Sequence, residues 1–133
     1  MIQANLITEL NIRFRKRFSI VSELSLDLSS WVSVPDLAIY AKRPLDVKND
    51  VVTMTEPPLC AVEIISSTQS LNDLVAKARA YFAHGVRSCW IVIPALENIY
   101  VFSSADDYRI YRSSEELSDS VLDLAFPLKA VFE

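Results

Sequence analysis

The run Leu59-Cys60-Ala61-Val62-Glu63-Ile64-Ile65 carries one charge among seven residues and is the longest apolar stretch broken by a single ionisable group. Apolar on both alternating faces, it predicts a strand at the centre of a sheet, covered on each side. A lone carboxylate in such a strand costs several kcal/mol unless something compensates it. A second carboxylate is placed in a similar way: in Val34-Pro35-Asp36, Asp36 opens the apolar segment Leu37-Ala38-Ile39-Tyr40. Two carboxylates at strand positions suggest a shared cation. Hard metals such as Mg2+ are held in this manner, by one or two carboxylates plus water and phosphate oxygens.

The 133 residues predict one domain spanning 1–133, long enough to bury about two thirds of its unfolded surface. A hydrophobic content of 51% with a single glycine excludes a linker or a disordered chain. So much apolar surface in a short chain also predicts a covering partner, and a homodimer through the first helix or an edge strand is the expectation. The apolar run Cys89 to Leu96 is too short to span a bilayer, and Met1-Ile2-Gln3-Ala4-Asn5 lacks the basic start and apolar core of a signal peptide. No membrane partner is expected, and the cytoplasm is. Cys60 and Cys89 both sit in apolar runs and read as buried free thiols of a reducing compartment. One histidine and two dispersed cysteines exclude ordinary zinc spacing, and one glycine excludes a phosphate-cradling loop.

A net charge of −4 gives no general support to a nucleic-acid partner, but the distribution is uneven. Residues 1–50 carry 7 basic and 6 acidic side chains, against 6 and 11 in the remainder. The cations gather in Arg13-Phe14-Arg15-Lys16-Arg17 and at Lys42-Arg43. The first cluster reads either as a solvated helix end favoured by the macrodipole or as an edge that contacts phosphates.

Leu6, Ile7, Leu10 and Phe14 recur at helical spacing and predict a helix over 2–17. From Phe18 the period becomes two, with Phe18, Ile20, Leu24, Leu26 and Leu28 on one side, so a half-exposed strand is expected. Strands at 36–40 and 59–65 flank a loop at 41–58 that contains three prolines. Ser70 and Asp73 form a capping-box start for a helix that ends at His84-Gly85, the glycine serving a left-handed cap. Its stripe is Leu71, Leu74, Val75, Ala78, Tyr81 and Phe82. Strands follow at Cys89–Pro94, Asn98–Ser103 and Tyr108–Arg112, and Phe126–Phe132 reads as a short terminal helix with proline in its first turn. The order α-β-β-β-α-β-β-β-α predicts an α/β (mixed α+β) fold, a mixed sheet flanked by helices.

Lys77 lies at the border of the apolar stripe, one turn after Asp73 and one turn before Tyr81. A border lysine can lay its stem over apolar surface and carry its ammonium towards the sheet. Carboxylates about 4 Å apart repel by roughly 4 kcal/mol at an effective dielectric of 20, and Lys77 is the cation best placed to relieve this. Each of these residues also has a plainer reading. Asp36 after Pro35 is a common turn pairing, and Lys77 could form a surface i,i+4 pair with Asp73 worth about 0.3–0.5 kcal/mol. Asp73 reads as a helix cap, Tyr81 as core packing beside the site, and His84 as a helix-end residue.

The ordered set Pro35-Asp36, Glu63-Ile64-Ile65-Ser66, Asp73, Lys77, Tyr81, Gly85-Val86 and Trp90 through Pro94, with the tail Val121-Leu122-Asp123-Leu124 to Ala130-Val131-Phe132, resembles the restriction-endonuclease-like superfamily named for its PD-(D/E)xK motif. More closely, it resembles the bacterial Uma-two family of endonucleases. The resemblance runs from about residue 5 to 133. It implies a restriction-endonuclease-like fold and a divalent metal, Mg2+ or in its place Mn2+, held by Asp36, Glu63 and the backbone carbonyl of Ile64. It also implies DNA as the substrate and a lysine that orients or activates the attacking water. In the superfamily's commonest form that lysine follows the second acid by two residues. Ile65 stands there, so the role passes to Lys77. The catalytic set so implied is Asp36, Glu63 and Lys77. Longer members carry a segment before the first helix, and this chain begins almost at that helix. Two readings stay open: a metal-dependent DNA phosphodiesterase, and a non-catalytic module of the same fold that binds or regulates.

Overall fold

The structure, a computed structural model, describes residues 1–44 and 53–133. Helix α1 (Ile2–Phe14) leads to β1 (Phe18–Ser22), the hairpin of β2 (Ser25–Leu28) and β3 (Trp31–Ser33), then β4 (Leu37–Ala41), the two-residue β5 (Thr53–Met54) and β6 (Cys60–Ile64). Helix α2 (Leu71–Ala83) is followed by β7 (Ser88–Ile93), β8 (Asn98–Ser104), β9 (Asp107–Arg112), β10 (Glu116–Asp119) and β11 (Leu124–Pro127). The main sheet has six strands in the order β1-β4-β6-β7-β8-β9, with β6 and β7 parallel and the other pairs antiparallel. The parallel pair with α2 between them forms the expected crossover. The fold is the mixed sheet flanked by helices that the element order predicts.

Side-chain alternation separates two cores. Leu37, Ile39, Cys60, Val62, Trp90 and Val92 pack on the face covered by α1 and the β10–β11 ribbon. Ala38, Tyr40, Ala61, Cys89, Ile91 and Ile93 pack on the other face with Leu74, Ala78 and Tyr81 of α2 and Leu24, Leu26 and Leu28 from the hairpin side. β7 is buried along its whole length, which explains why its sequence shows no amphipathic period. Cys60 and Cys89 are buried and free. No helix among the described residues is long and apolar enough to cross a membrane.

Helix α2 begins where its capping box places it. Ser70 Oγ accepts from the Asp73 N–H at 3.1 Å, and the Asp73 carboxylate accepts from the Ser70 N–H at 3.2 Å. Gly85 ends the helix at φ +95°, a conformation that side chains with a Cβ rarely adopt.

Three expectations are corrected. The period-two stretch from Phe18 to Leu28 is two strands: Glu23 adopts φ +53° and turns the chain off the main sheet. The alternation survives the break because Leu24, Leu26 and Leu28 enter the second core, whereas Phe18 and Ile20 serve the first. Ser29 and Ser30, both at positive φ, then close the β2–β3 hairpin, which β5 joins in parallel to make a three-stranded sheet. The expected loop at 41–58 thus contains β5, and its residues 45–52 lie outside the described residues. The terminal helix expected over Phe126–Phe132 is absent: Phe126 and Pro127 end the strand β11, and residues 128–131 form a turn closed by the Val131 N–H on the Leu128 carbonyl. β11 pairs antiparallel with β10, Leu117 opposite Phe126. Leu122, Leu124, Phe126 and Leu128 are buried and the residues between them exposed, a period of two that Pro127 tolerates on an exposed edge position.

Candidate active site

The register of the central strands brings the two acids together. β4 and β6 run antiparallel with Leu37 opposite Val62 and Ala38 opposite Ala61. Continuing that register by one residue sets Asp36 opposite Glu63. Both then face α2, the side taken by Ala38 and Ala61. Asp36 Oδ2 accepts from the Ile64 N–H at 2.6 Å, tying the head of β4 to the end of β6. Residues directly opposite on antiparallel strands have Cβ atoms about 4.5–5.5 Å apart, and like charges there destabilise.

Glu63 is 3% exposed, and both its oxygens accept bonds from α2. Lys77 Nζ lies 3.0 Å from Oε1, and the Tyr81 hydroxyl donates to Oε2 at 2.7 Å. Lys77 and Tyr81 are one turn apart on the helix, so they reach the same carboxylate from one face. Burial pushes the Glu63 carboxyl above its usual range. The Lys77 charge and the two hydrogen bonds oppose that push, and the Asp36 charge reinforces it. Burial, and then the Glu63 charge, also raise the Tyr81 phenol, which therefore stays protonated and acts as donor. Tyr81 Oη lies 2.8 Å from Ser33 Oγ. Trp31 meets the Tyr81 ring edge-on at 5.0 Å between centroids and stacks on His84 at 5.0 Å. His84 Nδ1 donates to the Ala80 carbonyl at 2.7 Å, a helix-end role.

A family model for Uma2, described as "Putative restriction endonuclease", matches residues 1–131. The chain belongs to the Uma2 family. It is also similar to a crystal structure described as a "putative nuclease belonging to DUF820" from Anabaena variabilis, with a TM-score of 0.79 at 16% identity, over 98% of this chain and 78% of that one. That likeness bears on the fold. No curated protein matches.

In this Uma2 chain the predicted residues divide clearly. Asp36, Glu63, Ile64 and Lys77 come together, Lys77 on Glu63 while Asp73 is spent on its helix cap. Ser66 does not join them: its hydroxyl bonds Gln69 Oε1 at 3.1 Å within the polar turn. Two members of the basic clusters have structural work. Arg17 donates to the Leu122 carbonyl at 2.7 Å and lies over the Phe18 ring, and Arg43 pairs with Glu56 over Tyr40.

Ser33 is the residue that the sequence reading passed over. Its signal is the alternation of Trp31 and Ser33 with exposed Val32 and Val34 after the Ser29-Ser30 turn, directly ahead of Pro35-Asp36. A second buried carboxylate, Asp119, was also passed over. It accepts from Ser88 Oγ at 2.5 Å, Trp90 Nε1 at 2.8 Å, and the Val121 and Leu122 N–H groups at 2.9 and 3.0 Å. That set fastens the β10–β11 ribbon to β7 and fills the acceptor capacity of both oxygens, so it is a structural anchor.

The donor set suits a hard divalent cation. Among the described residues no group of three or more His, Cys, Asp or Glu could hold a metal ion, so a cation here would rest on two carboxylates. That number is sufficient for Mg2+ where water and phosphate complete the shell. Asp36 Oδ1 accepts no bond among the described residues, and one ammonium, Lys77, beside two carboxylates leaves a formal negative charge in excess that a cation would offset.

Proposed function

We propose that this chain is a metal-dependent endonuclease that hydrolyses DNA phosphodiester bonds, with Mg2+, or Mn2+ in its place, held by Asp36, Glu63 and the backbone carbonyl of Ile64. The observation that carries the reading is Glu63, buried at the end of the central strand and paired with the half-buried Lys77, with a second, half-buried carboxylate, Asp36, beside it. Burying the Glu63 carboxylate is expensive, and a stable core has no need of it there. Membership of a restriction-endonuclease family supports a phosphodiester as substrate.

Each residue has a task in that reaction. When bound, the cation supplies Lewis acidity towards a phosphate oxygen and lowers the pKa of a coordinated water. Asp36 is braced by the Ile64 N–H, which leaves Oδ1 for the cation. Lys77 holds an ammonium at the mouth of the site, 28% exposed against 5% for the Glu63 side chain. Of its three donors one serves Glu63, and the others can meet a phosphate oxygen or the attacking water as negative charge develops.

The non-catalytic reading draws on one observation: both Glu63 oxygens already accept bonds from the protein. A cleavage assay on supercoiled, linear and single-stranded DNA with Mg2+, Mn2+ or EDTA, beside an Asp36→Asn control, separates the two. Metal-dependent cutting lost in the variant supports the enzyme. Binding of DNA or protein without cutting supports the module.

A further inference from the structure

Asp36 and Glu63 stand on neighbouring strands and repel each other, so their spacing has to be imposed by what anchors each one. Asp36 is short and fixed by one backbone N–H. Glu63 is longer, with more rotamers to lose, and its Oε2 is fixed by the Tyr81 hydroxyl, which in turn meets Ser33 Oγ. Ser33, Glu63 and Tyr81 are all buried. A phenol that gives its one proton to Glu63 keeps only its oxygen as an acceptor, so Ser33 is the donor in the second bond. Ser33 lies three residues before Asp36, with exposed Val34 and buried Pro35 between them, and the proline ring fixes φ. The segment that presents one carboxylate therefore orients the other, through Tyr81. Trp31, edge-on to the Tyr81 ring, restrains the phenol from the same hairpin.

We propose that Ser33 and Tyr81 are positioning residues, a hydroxyl relay from β3 through α2 that sets the spacing of Asp36 and Glu63 for a divalent cation. The part concerning the cation rests on the function proposed above. The part concerning Glu63 stands on the hydrogen bonds alone. Neither residue touches the cation or the substrate in this account. Partners of metal-ligating groups change metal affinity by about 10–100-fold when removed, and the relay acts on one ligand of a site with few ligands.

The test uses Ser33→Ala, Ser33→Thr and Tyr81→Phe in the full chain, with two readouts. Carbon-13 NMR of the Glu63 carboxyl without added metal reports whether the relay holds that group. Calorimetric titration with Mn2+ reports its consequence. Tyr81→Phe, which keeps the ring and its packing, should shift and broaden the Glu63 signal and weaken Mn2+ about tenfold. Ser33→Ala should move both in the same direction, and Ser33→Thr, which restores a hydroxyl, should return both towards wild type. A merely structural serine would lower the melting temperature without moving the carboxyl signal of the folded protein. An unchanged Glu63 signal in Tyr81→Phe and Ser33→Ala overturns the relay. If wild type binds no Mn2+, the metal reading falls, and the carboxyl spectra alone decide the relay.

Discussion

Lys77→Met and Glu63→Gln should have unequal effects, though each removes one side of the same ion pair. Lys77→Met keeps the stem and the helix propensity but leaves Glu63 charged, 3% exposed and beside Asp36, one residue beyond the β4–β6 ladder. Removing one partner of a buried pair costs about 3–5 kcal/mol. Lys77 is 28% exposed, so water already screens the pair, and a loss of about 2 kcal/mol is the better figure. For a chain of this length that lowers the melting temperature by roughly 8 °C. Glu63→Gln leaves a lysine that can turn to water and an amide that can still accept from Tyr81, so its stability should stay within about 1 kcal/mol of wild type. The double variant should recover most of the Lys77→Met loss. The pH dependence follows from the raised Glu63 carboxyl. A carboxyl whose folded pKa lies above its unfolded value penalises folding at pH above the folded pKa, and the penalty vanishes as pH falls and the group protonates. Lys77→Met raises that pKa further, so its deficit should be full at pH 8 and shrink towards pH 5. Calorimetric melts of the four proteins at both pH values make the comparison. A Lys77→Met melting point within 2 °C of wild type, or a Glu63→Gln loss as large as that of Lys77→Met, would show that Lys77 does not offset the Glu63 charge.

Asp119→Ala strands two side-chain donors and two backbone N–H groups and should cost about 3–5 kcal/mol in urea unfolding; a loss below about 1 kcal/mol would remove its anchoring role. Gly85→Ala forces φ +95° on a residue with a Cβ that meets Pro57 Cγ at 3.1 Å, so a loss of about 1–2 kcal/mol is expected in the same assay. A homodimer is proposed on the 51% apolar content and on exposed Tyr108 and Ile110 of the edge strand β9; light scattering at tens of micromolar that shows only monomer would end that idea.

Glu63 was legible in the sequence because a single charge in a both-faces-apolar run has few explanations. Lys77 was legible because its place at the border of the α2 stripe points an ammonium towards the sheet. What brings Asp36 to Glu63 is register, and no local pattern encodes which residue of one strand faces which of another. The resemblance supplied that pairing, and the β4–β6 ladder gives its geometry. Ser33 stayed hidden because the hairpin that carries it begins with a break at Glu23. Leucines continued the period-two pattern across the break while changing which core they served. The end of the chain escaped for a related reason. A short apolar piece fits periods of 2 and 3.6 almost equally; pairing with β10 makes Leu124–Pro127 a strand, and the residues after it turn.

On the function proposed here, Asp36 and Glu63 together hold a divalent cation. The most direct test of this is titration calorimetry of wild type, Asp36→Asn and Glu63→Gln with Mn2+ at pH 7.5. Wild type should show one binding event per chain and a matching rise in melting temperature by linkage, and each variant should lose both. Absence of binding in wild type at millimolar Mn2+, or equal binding by all three proteins, would contradict that assignment.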